Sequence, residues 1–331
     1  MQDVARVAGV SHQTVSRVLN DHPSVRPETR AKVQAAIREL GYRRNSAARA
    51  LATARSSTIG LLAASSSRSG PVSTLVAVEE AARAAGMYVS VVGLSVYDPS
   101  SVRDALDHFL DQGVEGLIAI APVRDAVQAA AAVALDLPVV VVAPTVADGR
   151  SLHVAVDQRQ GARAAVRHLL ELGHTRIAHV AGPPAWLDAA ERAAGWRDEL
   201  AAAGLAPGPI LAGDWTAAGG YAAGGRLLAE PGPTAVFAAN DLTALGLVRA
   251  VSEGGLQVPE DLSVVGFDDI EVAAYARPPL TTVRQDFGEL GRAAVRLLLG
   301  RLAGEQQPTT TFLAPELRRR ASTATVGPGA R

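Results

Sequence analysis

The sequence predicts an N-terminal all-α helix-turn-helix head and an α/β core of two doubly wound lobes. Three observations support this prediction: a short helical pattern with a glycine turn, a basic segment after it, and apolar runs that alternate with amphipathic helices. Apolar runs without a polar face are typical of parallel strands that helices cover on both sides. The alternating part spans about 270 residues, more than one such domain usually holds, so we expect two similar lobes with a cleft between them.

The head is predicted to span residues 1–44 and to contain three helices. The first ends at Gly9, because glycine readily adopts the left-handed conformation of a helix C-terminus. The second begins after Ser11, a favourable N-cap, and ends near Leu19. The third covers Pro27–Leu40, and the three together predict a helix-turn-helix unit. The residues predicted to face the core of the head are Val4, Ala5, Val7, Ala8, Val15, Val18, Leu19, Val33, Ala36, Ile37 and Leu40.

Charge is divided unevenly between the two parts of the chain. Residues 1–55 carry ten basic against four acidic residues, a net charge of +6, whereas the remainder carries −7. A basic head on an acidic body indicates a head that binds a polyanion. The chain has no cysteine, which excludes disulfides, thiolate metal sites and a cysteine nucleophile. It also has no apolar stretch of about 18 residues and no signal-peptide pattern, so we expect a cytoplasmic protein that does not bind membranes.

The rest of the chain alternates between predicted strands and predicted helices. The predicted strands are Ile59–Leu62, Tyr88–Val92, Gly116–Ile120, Val139–Val142, Ile177–Val180, Ala235–Phe237 and Leu262–Phe267. The predicted helices include Val72–Ala85, Val102–Gln112, Gln160–Leu172, Ala189–Ala203 and Leu242–Gly254.

Residues 45–57 form a basic, alanine-rich hinge between head and core. A helix of about eight residues is marginal alone in water, so we expect this hinge to become ordered only against a partner. The core covers residues 58–331, and the chain is predicted to cross between its lobes at Asp157-Gln158 and within Thr281–Phe287. The predicted lobes are, approximately, residues 58–156 with 286–314 and residues 157–285 with 315–325.

Short motifs throughout the chain resemble those of one family. They are Asp3–Asn20, Leu40–Asn45, Leu169–His174, Ala181–Pro183, Arg192–Trp196, Gly213–Trp215, Phe237–Asp241, Ser263–Asp269 and Pro279–Asp286. Their order over about 320 residues is similar to that of the lactose-repressor/galactose-repressor (LacI/GalR) family of bacterial transcription regulators. The resemblance implies a core like a periplasmic sugar-binding protein, with two lobes, three crossovers and a ligand in the cleft.

The second helix carries the predicted DNA contacts. Glutamine can bond an adenine edge with two hydrogen bonds, and arginine can do the same to guanine or hold a phosphate, as Arg17 could here. The resemblance implies that His12 and Gln13 read bases in the major groove. It implies that the phosphate contacts come mostly from Ser11, Thr14, Ser16 and Asn20, which position the head without specifying sequence. The alternative for such a helix is an ordinary solvated polar face.

The hinge contributes further residues by the same resemblance. It implies that two hinge helices, one per subunit, pack in the minor groove, where Leu51 inserts into the central base step and kinks the DNA. Asn45 and Ala48 match other hinge positions of the motif. The alternative for Leu51 is that it covers a hydrophobic patch. Arg44 stands where the family commonly has proline, and it adds a charge that can reach a phosphate.

Five residues are predicted to bind an effector in the cleft, carried over from the motif matches: Arg192, Trp215, Asn240, Asp268 and Gln285. Arginine and aspartate can each bridge neighbouring hydroxyls of a sugar, through two donors or two acceptors. An indole packs on the apolar face of a pyranose ring, and the two amides can donate and accept. The alternatives are helix capping for Asp268 and a surface ion pair for Arg192.

The chain departs from the family pattern in several places. Lactose-repressor-like members carry an acidic residue where this chain has Ala143 and an arginine where it has Val96, so the first lobe's half of the pocket matches less well. Family members have a few more residues before Asp3, which suggests that the natural chain starts earlier. Residues 321–331 contain no leucine heptad of the kind that makes tetramers, so a two-fold homodimer is expected.

Enzyme signatures are missing from the sequence. It has no Gly-x-Ser-x-Gly, His-Glu-x-x-His or P-loop motif, and we expect no catalytic residue, metal site or cofactor. The run Gly219–Gly225 resembles a nucleotide loop, but a helix start with close packing explains it better. The histidines that we interpret as structural are His168, His174 and His179.

These features together predict a sequence-specific DNA-binding transcriptional repressor. It is expected to bind operator DNA as a homodimer, and a small galactoside-like sugar in the cleft is expected to lower its operator affinity. One alternative is a corepressor-type regulator that responds to a purine or a phosphorylated sugar. A solute-binding protein of a transporter is another, although the helix-turn-helix head and the missing signal peptide argue against it. Steady turnover of a sugar would indicate an α/β enzyme instead.

Overall fold

A computed structural model describes most of the chain and divides it into two compact units, residues 1–56 and 57–331. The described residues are 1–19, 21–42, 55–64, 69–94, 98–120, 123–133, 137–144, 151–229 and 232–326. No helix among these residues is long and apolar enough to cross a membrane.

The first unit consists of three helices: α1 (Gln2–Ala8), α2 (His12–Leu19) and α3 (Pro27–Glu39). Gly9 ends α1 with a φ of 65°, and the Ser11 Oγ accepts a hydrogen bond from the backbone N–H of Thr14 at 3.1 Å. Both predicted helix boundaries are therefore confirmed. Pro27 occupies the first turn of α3, where its missing N–H costs nothing.

The small core of this unit is built on three fully buried valines, Val4, Val15 and Val33. Two predicted core residues are wrong, since Val7 is 43% exposed and Leu40 is 42% exposed. Val7 lies to one side of the buried stripe of α1, because successive residues turn by about 100°. Leu40 follows the last residue of α3, so it no longer shares the buried face.

The second unit contains two six-stranded sheets. The strands of the first sheet are β1 (Thr58–Ala64), β2 (Tyr88–Leu94), β3 (Gly116–Ile120), β4 (Val139–Val142), β5 (Leu152–Val156) and β11 (Thr310–Leu313). The strands of the second sheet are β6 (Ile177–Ala181), β7 (Ile210–Ala212), β8 (Ala235–Ala238), β9 (Ser263–Asp268), β10 (Thr281–Arg284) and β12 (Glu316–Arg318). Their spatial orders are β11-β5-β4-β3-β1-β2 and β12-β10-β9-β8-β6-β7.

Neighbouring strands run parallel in both sheets except for β12, which is antiparallel to β10. Every residue of β3, β4, β5 and β8 is buried, as expected of strands covered on both faces. The helices of this unit are α4 (Ser69–Ala84), α5 (Pro99–Asp111), α6 (Arg124–Val133), α7 (Gln158–Glu171), α8 (Leu187–Ala202), α9 (Ala217–Ala229), α10 (Asp241–Glu253) and α11 (Phe287–Leu302). A 3₁₀ turn covers Glu271–Tyr275. The predicted fold class is confirmed.

The chain passes between the two sheets three times: after β5, after β10 and between β11 and β12. The stretch 281–287, predicted as a crossing, also contains the strand β10, so only Gln285 and Asp286 separate β10 from α11. Helix α11 belongs with the first sheet, because Leu290 and Leu298 pack into the same hydrophobic cluster as residues of β1, β3 and β5.

Candidate effector-binding site and nucleic-acid interface

The polar face of α2 is placed as the sequence predicted. His12, Gln13 and Arg17 are exposed, Thr14 and Ser16 are partly exposed, and Val15 and Val18 are buried on the opposite side. The Ser11 hydroxyl is already engaged, because it caps α2 and lies 2.9 Å from the Thr14 hydroxyl. The remaining predicted DNA contacts and the departure at position 44 lie outside the described residues; they are Asn20, Arg44, Asn45, Ala48 and Leu51.

A cavity that is partly open to solvent lies between the two sheets and is lined by all five predicted effector residues. Arg192 is on α8, and the other four follow or end successive strands of the second sheet: Trp215 after β7, Asn240 after β8, Asp268 at the end of β9 and Gln285 after β10. The carboxyl ends of parallel strands meet at one edge of a sheet, which is why residues distant in sequence meet here.

Four buried polar side chains of this cavity form a closed ring of interactions. Arg192 Nε donates to Gln158 Oε1 at 2.8 Å, and Gln158 Nε2 donates to Gln285 Oε1 at 2.7 Å. Gln285 Nε2 then donates to Asp268 Oδ1 at 2.7 Å. The ring closes where Arg192 Nη1 lies 3.4 Å from the same carboxylate oxygen. This ring fixes the orientation of the guanidinium and the carboxylate.

Arg192 is also held between aromatic faces. Its guanidinium carbon lies 3.9 Å from the centroid of the Phe267 ring and 5.3 Å from that of Trp215. Its side chain is only 4% exposed, so the surface ion pair considered as an alternative is wrong. The capping alternative for Asp268 is also wrong, because Asp268 ends β9 and the residue that precedes the 3₁₀ turn is Ile270.

Trp215 is nine-tenths buried and depends on two neighbours for its position. Asn240 Nδ2 donates to the Trp215 carbonyl at 3.1 Å, while Asn240 Oδ1 accepts from the N–H of Thr243 and caps α10. Gly182 has no room for a Cβ, because the atom would meet the indole ring. The indole N–H of Trp215 has no hydrogen-bond partner among the described residues.

Burial raises the pKa values of two aspartates at the site. Burial raises the pKa of Asp268 to about 6, although the charge of Arg192 and the hydrogen bond from Gln285 oppose the shift. Near pH 7 the cavity therefore presents an ionised carboxylate beside a guanidinium. Behind it, burial and the charge of Asp268 raise the pKa of Asp241 to about 8, so Asp241 is mostly protonated at the same pH.

The residues of the cavity wall that the sequence interpretation missed include Gln158, Trp186 and Asp188. Gln158 was placed only at a lobe crossing, although it is the link between Arg192 and Gln285. Asp188 lies four residues before Arg192, and this spacing could have placed it on the same face of α8.

The first sheet's side of the cavity is mostly apolar in the described part of the chain. Ala143 is buried and lines the cavity, as do Val142 and Phe287. The hydroxyl of Thr74, a polar group on this side, is engaged with the Gly70 carbonyl at 2.9 Å. Val96, the other departure, lies outside the described residues.

The features that could have indicated an enzyme have structural explanations. Gly220 and Gly224 lie within α9, and a Cβ at either would meet α10, so close helix packing is confirmed for the glycine run. His174 contacts the hydroxyls of Thr234 and Ser263. The described residues contain no group of three or more histidine and acidic side chains arranged to bind a metal.

Comparison with known proteins extends the similarity over the whole chain. Residues 1–45 match the family described as bacterial regulatory proteins, lacI family, and residues 166–323 match a periplasmic binding protein-like domain. The lactose operon repressor of Escherichia coli (strain K12) is 37% identical over 329 residues, covering 98% of this chain and 90% of the relative. The ribose operon repressor of the same strain is 36% identical over 317 residues, covering 93% of this chain and 94% of the relative.

A solved structure shares the fold closely. The lac repressor dimer bound to operator and the anti-inducer ONPF has a TM-score of 0.89 and 37% sequence identity, and the match covers 97% of this chain and 98% of that chain. The similarity thus includes both the helical head and the two-sheet core.

Proposed function

This chain belongs to the LacI family of bacterial regulatory proteins, and from that premise we propose that it represses transcription by binding an operator as a homodimer. A small neutral sugar, of the galactoside class, occupies the cleft and lowers operator affinity. The protein is not an enzyme, and it acts in the cytoplasm.

The observation that carries the sugar proposal is the ring around Arg192 and Asp268. A guanidinium and a carboxylate held a few ångströms apart offer donors and acceptors to neighbouring hydroxyls, and the indole of Trp215 lies beside the guanidinium. Asp268 is ionised near pH 7, which disfavours a phosphate at the same place. Asn240 and Gln285 complete the set of effector residues.

DNA binding is assigned to the head and the hinge, with boundaries at residues 1–44 and 45–57. His12 and Gln13 read bases, whereas Arg17 reads a base or holds a phosphate. The phosphate and hinge contacts come from Ser11, Thr14, Ser16, Asn20, Asn45, Ala48 and Leu51. The core from residue 58 onward holds the effector and the dimer contacts, in lobes of residues 58–156 with 286–314 and 157–285 with 315–325.

The two sites are coupled by a change in the arrangement of the lobes. The sugar binds more tightly to one arrangement of the lobes and so favours it. In that arrangement the hinge helices of the dimer are separated, which weakens operator binding. Because coupling of binding free energies is reciprocal, operator binding must weaken sugar binding by the same factor.

The test begins with sugar binding. The purified chain is titrated with galactosides and other free sugars while tryptophan fluorescence is followed, and Trp215→Phe serves as the matched variant. We expect a saturable change that the variant reduces or abolishes. An unresponsive, folded wild-type chain across the whole panel contradicts the sugar proposal.

The operator is then selected from random duplex DNA, and its affinity is measured with and without the sugar at several salt concentrations. We expect the sugar to weaken operator binding by five- to 150-fold, the usual range of such coupling. Unchanged affinity contradicts the induction mechanism, and tighter binding with a purine or phosphosugar indicates corepression instead.

A further inference from the structure

Asp188 lines the effector cavity without joining the ring of polar side chains. It lies in the first turn of α8, four residues before Arg192, so both side chains share one face of the helix. The structure gives its carboxylate no hydrogen bond and no ion pair with any other residue in the described ranges.

The neighbouring polar groups, in contrast, have hydrogen-bond partners within the protein. Oδ1 of Asp268 is engaged by both Gln285 and Arg192, and the amide of Asn240 is engaged at both ends. Asp188 therefore supplies a free acceptor on the wall of the cavity.

The alternative role of an acidic residue in the first turn of a helix is to stabilise the helix N-terminus. Such a residue is normally solvated, which leaves its pKa ordinary or lowered. Here burial by the cavity walls raises the pKa of Asp188, and Glu191 adds to the shift, although Arg192 opposes it. The surroundings thus raise the free-energy cost of the Asp188 charge. Hydrogen bonds from a ligand's hydroxyls would lower that cost, whereas a phosphate placed nearby would raise it further.

We propose that Asp188 is a specificity-determining residue, whose carboxylate accepts hydrogen bonds from hydroxyls of a neutral sugar and repels ligands that carry a phosphate at that end of the cavity. This inference rests on the proposed function of the cleft, and it adds a second acidic contact to that of Asp268.

The experiment compares neutral sugars with their phosphorylated counterparts on the full chain. Galactose with galactose 6-phosphate, ribose with ribose 5-phosphate, and methyl β-galactoside are titrated into wild type, Asp188→Asn and Asp188→Ser. Asp107→Asn is the matched control, because it removes one negative charge from an exposed position of α5. Urea unfolding and sugar-free operator binding verify that each variant is folded.

We expect the neutral sugar that binds wild type best to bind both Asp188 variants at least tenfold more weakly. The preference for that sugar over its phosphorylated counterpart falls by at least tenfold as well, while Asp107→Asn matches wild type. Equal affinities of wild type and Asp188→Asn for a neutral sugar overturn this inference but leave the proposed function intact. A wild-type chain that binds none of these sugars overturns both.

Discussion

Asp241 is a buried carboxyl whose ionisation opposes folding. It begins α10, is fully buried, and accepts hydrogen bonds from the Thr282 hydroxyl at 2.5 Å and from the Ile270 N–H at 2.9 Å. Burial and the nearby charge of Asp268 raise its pKa from an ordinary 3.8 to about 8. Asparagine has the same shape without the charge, and it can accept from Ile270 while donating to Thr282. Asp241→Asn therefore isolates the cost of the charge.

The sign and size follow from proton linkage. Between pH 3.8 and 8 the folded chain keeps a proton on Asp241 that the unfolded chain releases, so the free energy of unfolding falls as pH rises through this window. One unit of pKa corresponds to about 1.4 kcal/mol. The stability of Asp241→Asn relative to wild type should therefore increase by about 3 kcal/mol from pH 5 to pH 7 and level off above pH 8.

The assay is urea unfolding followed by tryptophan fluorescence, because all three tryptophans lie in the second unit. Taking the difference between variant and wild type at each pH cancels the titration of groups that the substitution leaves alone, such as the buried histidines. Asp107→Asn, at an exposed position, should show no trend. A difference for Asp241→Asn that stays flat from pH 5 to pH 8 would refute the reasoning.

Three further substitutions test the site and the head. Gly182→Ala places a Cβ against the indole of Trp215, so we expect weaker sugar binding and a loss of about 1–3 kcal/mol in the free energy of unfolding. In the control Gly225→Ala the new Cβ meets no neighbour, and the free energy of unfolding should rise by up to about 1 kcal/mol. Urea unfolding compares the two variants. Gln158→Ala breaks the ring and leaves two buried partners unpaired, so urea unfolding should show a loss of about 1–3 kcal/mol in stability. Gln160→Ala, at an exposed position of the same helix, should leave the stability unchanged. Gln13→Ala should weaken binding to the selected operator by about 1–3 kcal/mol and leave binding to random DNA of equal length unchanged in a filter assay.

Much of the fold could be predicted because strand and helix periods differ clearly in this chain. The helix predicted at Ala189–Ala203 is α8 at Leu187–Ala202, and the strand predicted at Leu262–Phe267 is β9 at Ser263–Asp268. Five strands were not predicted: β5, β7, β10, β11 and β12. The edge strands β7 and β12 are the shortest of these. They have only three residues each and retain exposed positions, so their pattern does not differ from that of a loop.

Five residues of the site were predicted, but the hydrogen bonds that connect them were not. Motif resemblance placed Arg192, Asp268 and Gln285 in one cavity, and the structure brings them together. It did not indicate Gln158, because a glutamine after a strand has no distinctive pattern and its role depends on partners 34 and 127 residues away. Asn240 was predicted as an effector residue, but the sequence could not show that both ends of its amide are already engaged, one by the helix cap and the other by the Trp215 carbonyl.

The ring around Arg192 lies where the chain crosses between the two sheets, so the proposed ligand would contact residues that join the lobes. Gln158 begins α7 directly after the first crossing, and Gln285 lies within the second. A ligand that draws Arg192 toward its own hydroxyls changes the hydrogen bond to Gln158, and a ligand that draws Asp268 changes the hydrogen bond to Gln285. On the same side of the cavity, Trp186 pairs with Val123 across the lobes, and the neighbouring leucine of α8 packs into the hydrophobic cluster of the first sheet. The proposed effector would therefore act directly on the residues that join the lobes, and the coupling that we propose needs no separate pathway through either core.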